Sequence, residues 1–403
     1  MSRFLFVVPP LVGHINPAVG VAAELRAQGH QVAWASAGHG LVERLAGDDE
    51  ARVYTCAGPV LGADDGMRPP DLRGPEALKF LWEAFLIPLA EAMAPGVRVA
   101  IQDFRPHVVV ADQQAVAGGL VAEALGVPWA TSSTTTAEFA FDEALGGMPK
   151  IAAWIAGLLQ NLRVRIGDAG GKADPRFSPH LVLVYSTPEL IGSGARTEGP
   201  IRYVGPSVTA RPASAARFPW DWLDAGRATV LVTLGTANAD VGGRFLSKCL
   251  TAVRARTGRL QAVIADPGHT LGSAVTHDPD ILVLPSVPQL PLLERVDAVV
   301  CHAGHNTVCE ALWHGVPLVV APIRDDQPVV ASQVTGAGAG VRVRFGRVTA
   351  GRLGEAIDTI LYEAAYRDAA ERIGTAFRAA GGAGAAASHL ERLAGHGTCT
   401  EAG

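Results

Sequence analysis

The sequence has little net charge, few cysteines and no basic excess. Only 18% of its 403 residues are charged, and 34 Lys and Arg against 39 Asp and Glu give a formal net charge of −5. A protein that binds nucleic acid needs a basic surface for the phosphates, so this balance argues against a nucleic-acid partner. Five cysteines, an odd number scattered over a long chain, argue against the disulfide framework of a small secreted domain. We therefore expect reduced thiols and a cytoplasmic protein.

The sequence also lacks a pattern typical of a signal peptide or a membrane span. The first apolar run, Phe4–Val8, is broken at once by Pro9 and Pro10, and its length is that of a buried strand. No uninterrupted apolar stretch approaches the ~20 residues that span a bilayer. We expect no stable membrane insertion, and the residues leave open whether the chain forms a homodimer.

Strand and helix patterns alternate in two successive halves, which predicts an α/β protein with two domains. A chain of 403 residues is long for a single core. In the first half, the strand Phe4–Val8 precedes a helical pattern that starts at Pro17, with Gly13–Pro17 as the connecting loop. The alternation restarts at Thr229–Thr233. We predict an N-terminal domain at 1–205, a linker at 206–219, a C-terminal domain at 220–375, and a helical tail at 376–403 that packs back on the N-terminal domain.

The segment 301–327 in the second half has the pattern of a phosphate site. A predicted strand ends here, a tight turn follows at Gly304, and a helix starts at Asn306 and Thr307. A strand, a glycine turn and a helix N-terminus leave unpaired backbone N–H groups that can bind phosphate. His302 precedes the turn and could donate to a diphosphate oxygen. Asn306 and Thr307 could instead only cap the helix, which is a common role for both residue types.

A histidine in the first half is a candidate general base. His14 follows the first predicted strand, at the carboxyl edge of the sheet, and an ordinary imidazole pKa of about 6.5 suits proton transfer from a hydroxyl. A lone histidine is more often a structural, hydrogen-bonded residue than a catalytic one. Asp112 ends the strand Val108–Ala111 at the same edge and could orient the imidazole. Asp112 could also cap the helix at Ala115.

An ordered set of motifs in the second half resembles the signature block of the family 1, two-domain (GT-B) glycosyltransferases. The set spans 26 residues, which makes it far more specific than a lone glycine motif, and the resemblance extends over most of the chain, from Phe4 to about Leu393. Its members are His302-x-Gly304-x-Asn306-Thr307, Glu310-Ala311-Leu312, Gly315-Val316-Pro317, Pro322 and Asp326-Gln327. The resemblance implies the GT-B fold, which is α/β with two doubly wound Rossmann-like domains and an inter-domain cleft. The N-terminal domain would bind the acceptor and the C-terminal domain the nucleotide sugar.

The resemblance implies a role for each donor-site residue. Diphosphate would contact the Gly235–Thr236 loop, His302, Gly304 and the amides around Asn306 and Thr307; the base would lie against Ser286 and Val287, the ribose against Gln289 and Glu310, and the transferred sugar against Asp326 and Gln327. Many relatives have an aromatic residue where Ser286 stands, so the stacking of the base is left open. Ala303 and His305 also differ from the commonest pattern, and a contact of His305 with phosphate is left open.

The same resemblance implies the reaction. The Gly13–Pro17 segment matches the loop that carries the catalytic histidine, so His14 would be the general base and Asp112 its partner. The sugar would be displaced directly, with inversion at the anomeric carbon. No metal and no cofactor are expected, because the clearest Asp-x-Asp, Asp278–Asp280, precedes a predicted strand and so lies at the end of the sheet away from the cleft.

The acceptor residues are predicted only from their apolar or polar character in the first half. They are Trp82, Phe85, Thr134, Phe139, Phe141 and Ile155. They suit a hydrophobic natural-product aglycone, although packing in a core or a lid explains most of them equally well. The composition is similar to that of actinobacterial antibiotic and macrolide enzymes, so the expected donor is a TDP-deoxysugar, with a UDP-sugar second. Two alternatives are a glycosyltransferase for lipid or cell-wall intermediates and a non-catalytic auxiliary protein.

Overall fold

The N-terminal domain is a parallel sheet of seven strands with helices on both faces. The computed structural model describes residues 1–38, 40–59, 72, 74–137, 149–171, 173–209, 216–235, 242–272 and 278–397. The strands are β1 (Arg3–Val8), β2 (Gln31–Ala37), β3 (Val53–Cys56), β4 (Val108–Asp112), β5 (Trp129–Ser133), β6 (Val182–Val184) and β7 (Ile201–Tyr203). Their spatial order is β3-β2-β1-β4-β5-β6-β7. Because β1 and β4 are central, their carboxyl ends meet in the middle of the sheet edge.

The helices of this domain include one long apolar stretch. They are α1 (Val12–Ala27), α2 (Leu41–Ala46), α3 (Gly74–Lys79), α4 (Ile87–Phe104), α5 (Ala117–Ala124), α6 (Pro149–Ile166) and α7 (Pro188–Ile191). A π-helical segment, Phe80–Leu86, joins α3 to α4 into one helix of 31 residues that is long and apolar enough to cross a membrane. Much of this helix is buried and packs in the core of the domain, together with β1 and β4. Its length was not evident from the sequence, which shows no uninterrupted apolar stretch there.

The C-terminal domain repeats the architecture with six parallel strands. They are β8 (Ala228–Thr233), β9 (Leu260–Ala265), β10 (Ile281–Leu284), β11 (Ala298–Cys301), β12 (Leu318–Val320) and β13 (Gly340–Arg342), in the spatial order β10-β9-β8-β11-β12-β13. The helices are α8 (Gly243–Arg254), α9 (Gln289–Leu293), α10 (His305–Trp313), α11 (Gln327–Gly336), α12 (Ala350–Tyr362), α13 (Ala364–Ala379) and α14 (Gly382–Gly397). The continuous apolar runs of the strands are buried, as parallel sheets covered on both faces require.

The last helix returns to the N-terminal domain. The predicted boundary at 375 falls inside α13, and the chain turns back only at Gly381 and Gly382. The Gly382 N–H donates to the Val204 carbonyl at 2.6 Å. Small residues on α14 then pack against α1 and the strands β1 and β4 in one buried cluster. The chain therefore crosses between the domains twice, after β7 and again at α14. Residues 210–215 of the predicted linker lie outside the described residues.

Candidate active site

A histidine and an aspartate lie in contact at the carboxyl edge of the N-terminal sheet. His14 Nδ1 is 3.0 Å from Asp112 Oδ1 and 3.1 Å from Oδ2. Val7 of β1 pairs with Ala111 of β4, so both strands end at the same level, with α1 just beyond β1. The Asp112 side chain is fully buried, whereas that of His14 keeps 15% of its surface exposed. The pair therefore presents an imidazole, supported from behind by a carboxylate, to the space above the sheet.

A threonine completes this group. Thr134 follows β5, and its hydroxyl lies 2.8 Å from Asp112 Oδ2 and 2.7 Å from His14 Nδ1. If the hydroxyl donates to the carboxylate, its oxygen can only accept from Nδ1, so Nδ1 must carry a proton, since two acceptors cannot form a hydrogen bond with each other. This arrangement favours the neutral tautomer with the proton on Nδ1, which leaves Nε2 as the basic nitrogen. Thr134 was predicted to contact the acceptor; its hydroxyl is instead hydrogen-bonded within the His14–Asp112 pair.

Of the two roles open for Asp112 in the sequence, the structure shows the contact with His14 but no helix cap, because α5 begins only at Ala117 and has no side-chain cap. Besides contacting His14, Asp112 Oδ1 accepts from the Gln114 N–H at 2.8 Å and so holds the turn before α5. Helix α1, in contrast, starts earlier than the sequence indicates. It begins at Val12, so Gly13 to Pro17 form its first turns and not a loop. Pro17 has no N–H, and the carbonyl of Gly13 consequently lacks its helical partner. That carbonyl accepts from Asn306 Nδ2 of the C-terminal domain at 2.8 Å.

His302 lies between two glycines of the C-terminal domain. A Cβ atom on Gly304 would lie 2.3 Å from His302 Nε2, and one on Gly235 would lie 2.8 Å from Cε1. Gly235 also has a φ of +69°, which favours glycine. The turn after β11 includes Ala303 at a φ of +66°, a conformation that a residue with a Cβ seldom adopts. The two glycines of the motifs therefore allow the imidazole to lie flat against the backbone where α10 begins.

Burial keeps this imidazole neutral. His302 is 8% exposed, and desolvation lowers its pKa to about 4; the positive charge of Arg324 acts in the same direction. A neutral imidazole can donate one N–H to an anion without a prior cost of burying charge. Helix α10 starts at His305 with no side-chain cap, so its first backbone N–H groups are those predicted to bind phosphate. The residues predicted for the diphosphate thus lie together, apart from Thr236, which is outside the described residues.

The predicted ribose residues contact each other. Gln289, at the start of α9, donates from Nε2 to Glu310 Oε2 on α10 at 2.6 Å. Ser286 and Val287 precede α9 at the carboxyl end of β10, and Ser286 is exposed. The loop after β10 and the helix after β11 are therefore joined by a hydrogen bond between the two residues that were predicted to contact the ribose.

The predicted sugar-reading pair lies at the start of α11 and reaches the other domain. Asp326 Oδ2 accepts from Thr135 Oγ1 at 2.6 Å. Desolvation raises the pKa of Asp326 above its ordinary value, and the hydrogen bond from Thr135 opposes that rise. The Gln327 side chain holds its own loop, because its Oε1 accepts from the N–H groups of Ile323 and Arg324 at 2.8 and 3.1 Å. Asp326 therefore faces the cleft, whereas the side-chain oxygen of Gln327 is hydrogen-bonded to the backbone of the preceding loop.

His305 lies in the contact between the domains. Its ring is 5% exposed, and Nε2 is 3.3 Å from the carbonyl of Tyr185, to which it donates. Desolvation lowers the pKa of His305 to about 4. The phosphate contact that the sequence left open is not the interaction seen here, since the N–H of a neutral imidazole is used across the interface.

Three of the predicted acceptor residues lie in a core. Phe85 has no exposed surface, and Trp82 and Ile155 are each 5% exposed in the cluster that packs on one face of the N-terminal sheet. A side chain without exposed surface cannot contact a ligand in this arrangement, so the expectation for Phe85 is corrected to core packing. Phe139 and Phe141 lie outside the described residues. The apolar face of α6 is only partly covered. Ile151 and Leu158 pack against the same cluster as Ile155 but are only partly buried.

The Asp-x-Asp segment is bound to arginines at the opposite end of the sheet. Asp278 Oδ2 accepts from Arg254 Nε at 2.8 Å, and Asp280 is paired with Arg227. Both aspartates precede β10, whereas the donor residues follow the strands. Two carboxylates that already neutralise arginines are poor candidates for a metal site near the cleft.

Comparison with known proteins agrees with this geometry. A family model described as UDP-glucoronosyl and UDP-glucosyl transferase matches residues 266–378. The 4'-demethylrebeccamycin synthase of Lentzea aerocolonigenes is 29% identical over 92% of this chain and 94% of its own. Among solved structures, the glycosyltransferase of kitacinnamycin covers 97% of this chain and 98% of its own, with 25% identity and a TM-score of 0.77. Glycosyltransferase VinC, solved in complex with dTDP, shares the fold at 19% identity and a TM-score of 0.73, over 98% of this chain and 100% of its own.

Two parallel α/β domains that meet at the carboxyl ends of their strands, with an imidazole–carboxylate pair on one side and a glycine-flanked helix start on the other, define the GT-B class of glycosyltransferases. Within that class, the chain is similar to the UDP-glucoronosyl and UDP-glucosyl transferases and to bacterial natural-product glycosyltransferases.

Proposed function

We propose that the chain is an inverting glycosyltransferase that moves a sugar from a nucleoside-diphosphate sugar to a hydrophobic natural-product aglycone, with His14 as general base. The observation that carries the proposal is the position of two neighbouring residues, Thr134 and Thr135. One contacts the His14–Asp112 pair and the other contacts Asp326 of the donor domain. The proposed base and the proposed sugar-binding carboxylate are thus each hydrogen-bonded to one of two adjacent residues.

The proposed step uses Nε2 of His14. This nitrogen removes the proton of an acceptor hydroxyl as its oxygen forms a bond to the anomeric carbon. The bond from that carbon to the diphosphate oxygen breaks, its electron pair leaves with the nucleoside diphosphate, and the configuration inverts because attack and departure are on opposite faces. The carboxylate of Asp112 stabilises the imidazolium that forms, and Thr134 keeps Nδ1 protonated beforehand.

Charge on the leaving diphosphate would be stabilised by the backbone N–H groups at the start of α10 and by the neutral imidazole of His302. We propose a reaction independent of metal and cofactor. The support is that the conspicuous carboxylates, Asp278 and Asp280, are bound to arginines away from the cleft.

The proposed substrates follow from the relatives. The names 4'-demethylrebeccamycin synthase and demethyllactenocin mycarosyltransferase belong to enzymes of natural-product glycosylation, and VinC was solved with dTDP. A TDP-deoxysugar is therefore the first donor to test, and a UDP-sugar the second. The partly buried apolar residues of α6 are the best-placed described residues for an apolar acceptor.

The test is calorimetric titration with TDP and UDP, followed by transfer assays from TDP- and UDP-sugars to a panel of polyketide and aromatic aglycones. We expect micromolar binding of at least one nucleotide, product with inverted anomeric configuration by NMR, and full activity in EDTA. Absence of nucleotide binding contradicts the donor site. Retained configuration contradicts the displacement, and a strict need for a divalent metal contradicts the metal-independent step.

A further inference from the structure

Three consecutive threonines after β5, which we call the threonine segment (Thr134–Thr136), bind three different parts of the molecule. Thr134 contacts the His14–Asp112 pair, and Thr135 donates to Asp326 at 2.6 Å. Thr136 donates to Gln333 Oε1 on α11 at 2.8 Å. The three side chains are between 0 and 4% exposed, so water does not weaken these hydrogen bonds. The segment therefore connects the proposed base with the helix that starts at the sugar-reading carboxylate.

A second connection lies on the other side of the base. The Gly13 carbonyl, left without a helical partner by Pro17, accepts from Asn306 Nδ2 at 2.8 Å. Asn306 is in the turn predicted to bind the diphosphate, and Gly13 directly precedes His14. Residues adjacent to His14 and to Thr134 are consequently both held by the donor domain.

We propose that Thr135 is a positioning residue, whose hydrogen bond to Asp326 couples binding of the donor sugar to the alignment of the His14–Asp112–Thr134 group. This inference rests on the proposed function and goes beyond it, because Thr135 acts through Asp326 and touches no reacting atom. One peptide unit separates the hydroxyl that fixes Asp326 from the hydroxyl that fixes the base. A displacement of either therefore moves the other.

The carboxylate of Asp326 needs this partner. Its oxygen Oδ2 accepts from Thr135, and a sugar hydroxyl would donate to the same carboxylate. Without the threonine hydroxyl, the desolvated carboxylate keeps only the hydrogen bond from its own backbone N–H and can rotate, so the sugar is held in a wrong orientation relative to His14. The nucleotide part of the donor is bound by other residues and should be unaffected.

The test compares Thr135→Val, which removes the hydroxyl at nearly constant volume, with Thr135→Ser, which keeps it. For Thr135→Val we expect kcat to fall about tenfold or more and the KM for the nucleotide sugar to rise, because one hydrogen bond to a charged group is lost. The Kd of TDP, which has no sugar, should stay within twofold. Thr135→Ser should recover most of kcat. If valine packs poorly and the protein unfolds, Thr135→Ala makes the same comparison without introducing a new group.

A double-mutant cycle decides whether the effect passes through Asp326. Thr135→Val and Asp326→Ala should be strongly non-additive in kcat, since each removes the hydrogen bond between Thr135 and Asp326. Additive effects, equal loss of TDP affinity and of kcat, or a Thr135→Val enzyme with unchanged kcat and KM would each overturn the inference. These outcomes leave the proposed function intact, because that function is tested on the unaltered protein by nucleotide binding and sugar transfer.

Discussion

The two sides of the cleft are built from different kinds of groups. On the N-terminal side, side chains from three separate segments converge, because His14, Asp112 and Thr134 come from the ends of α1, β4 and β5. On the C-terminal side, one continuous turn supplies most of the site, and the backbone shapes it, since two glycines flank His302. The first side has the groups for proton transfer, and the second has those for binding an anion. Substitutions on the two sides should therefore affect different kinetic quantities.

The largest effect is expected on the N-terminal side. His14→Ala should lower kcat about 10³-fold, the range typical of a lost general base, while the Kd of TDP changes little. His180→Ala is the matched control, since His180 is exposed. Steady-state kinetics and calorimetry on both variants measure the difference. Turnover near the unaltered level in His14→Ala would remove His14 from the mechanism, and a large loss of TDP affinity would remove the distinction between the two sides.

A smaller effect, on binding, is expected on the C-terminal side. In Gly304→Ala the new Cβ would lie 2.3 Å from His302 Nε2, so the imidazole must move. We expect TDP to bind about tenfold more weakly, as for the loss of a hydrogen bond to a charged group. Gly336→Ala, at the end of α11 with nothing within 4 Å of the added Cβ, is the control and should bind TDP normally. Unchanged TDP affinity in Gly304→Ala would contradict the glycine-flanked position of His302.

Two buried histidines, one in the donor turn and one in the contact between the domains, predict that the protein is less stable at acid pH. His302 and His305 both have a pKa of about 4, below the ordinary 6.5, because burial opposes their charge. A depressed folded-state pKa contributes stability that is complete above pH 6.5 and is lost as the pH falls towards 4, on the order of 3 kcal/mol for each histidine.

The stability test uses His305→Gln, whose amide can still donate to the Tyr185 carbonyl. Its free energy of unfolding should fall less steeply between pH 6.5 and 4 than that of the unaltered protein. The free energy of unfolding of the control, His180→Gln, should fall as steeply as that of the unaltered protein. Urea denaturation at several pH values measures the slopes. A His305→Gln protein with the unaltered slope would show that His305 titrates normally.

The two sides also differ in how much of each could be predicted from the sequence, because one is a contiguous turn and the other is assembled from separate segments. The donor turn is contiguous, so the order of His302, Gly304 and Asn306 in the sequence already indicates a phosphate-type turn. The pairing of Asp326 with Thr135 joins residues 191 apart, and no local pattern marks it. A run of polar residues ending a buried strand, Thr131 to Thr136, was the available signal, because buried hydroxyls need partners.

Local rules also failed where a tertiary contact replaced a local one. The helical pattern of apolar residues starts at Pro17, so α1 was expected to begin there. It begins at Val12, and Asn306 supplies the hydrogen bond that Pro17 cannot. Helical spacing of apolar residues likewise cannot show which face is covered, and Trp82, Phe85 and Ile155 are in the core.

The smallest effect is expected at Ser286, on the C-terminal side, where the base of the nucleotide is predicted to lie. Ser286 is exposed beside Val287 and Gln289, in the loop that was predicted to contact the base of the nucleotide. Ser286→Trp should tighten TDP and UDP binding about fivefold, since ring stacking contributes about 1 kcal/mol. Ser286→Ala, which adds no ring, should bind both nucleotides as the unaltered protein does. Equal affinity of Ser286→Trp and Ser286→Ala would mean that the base does not lie against this loop. The C-terminal side would then bind the donor through its phosphates and its sugar.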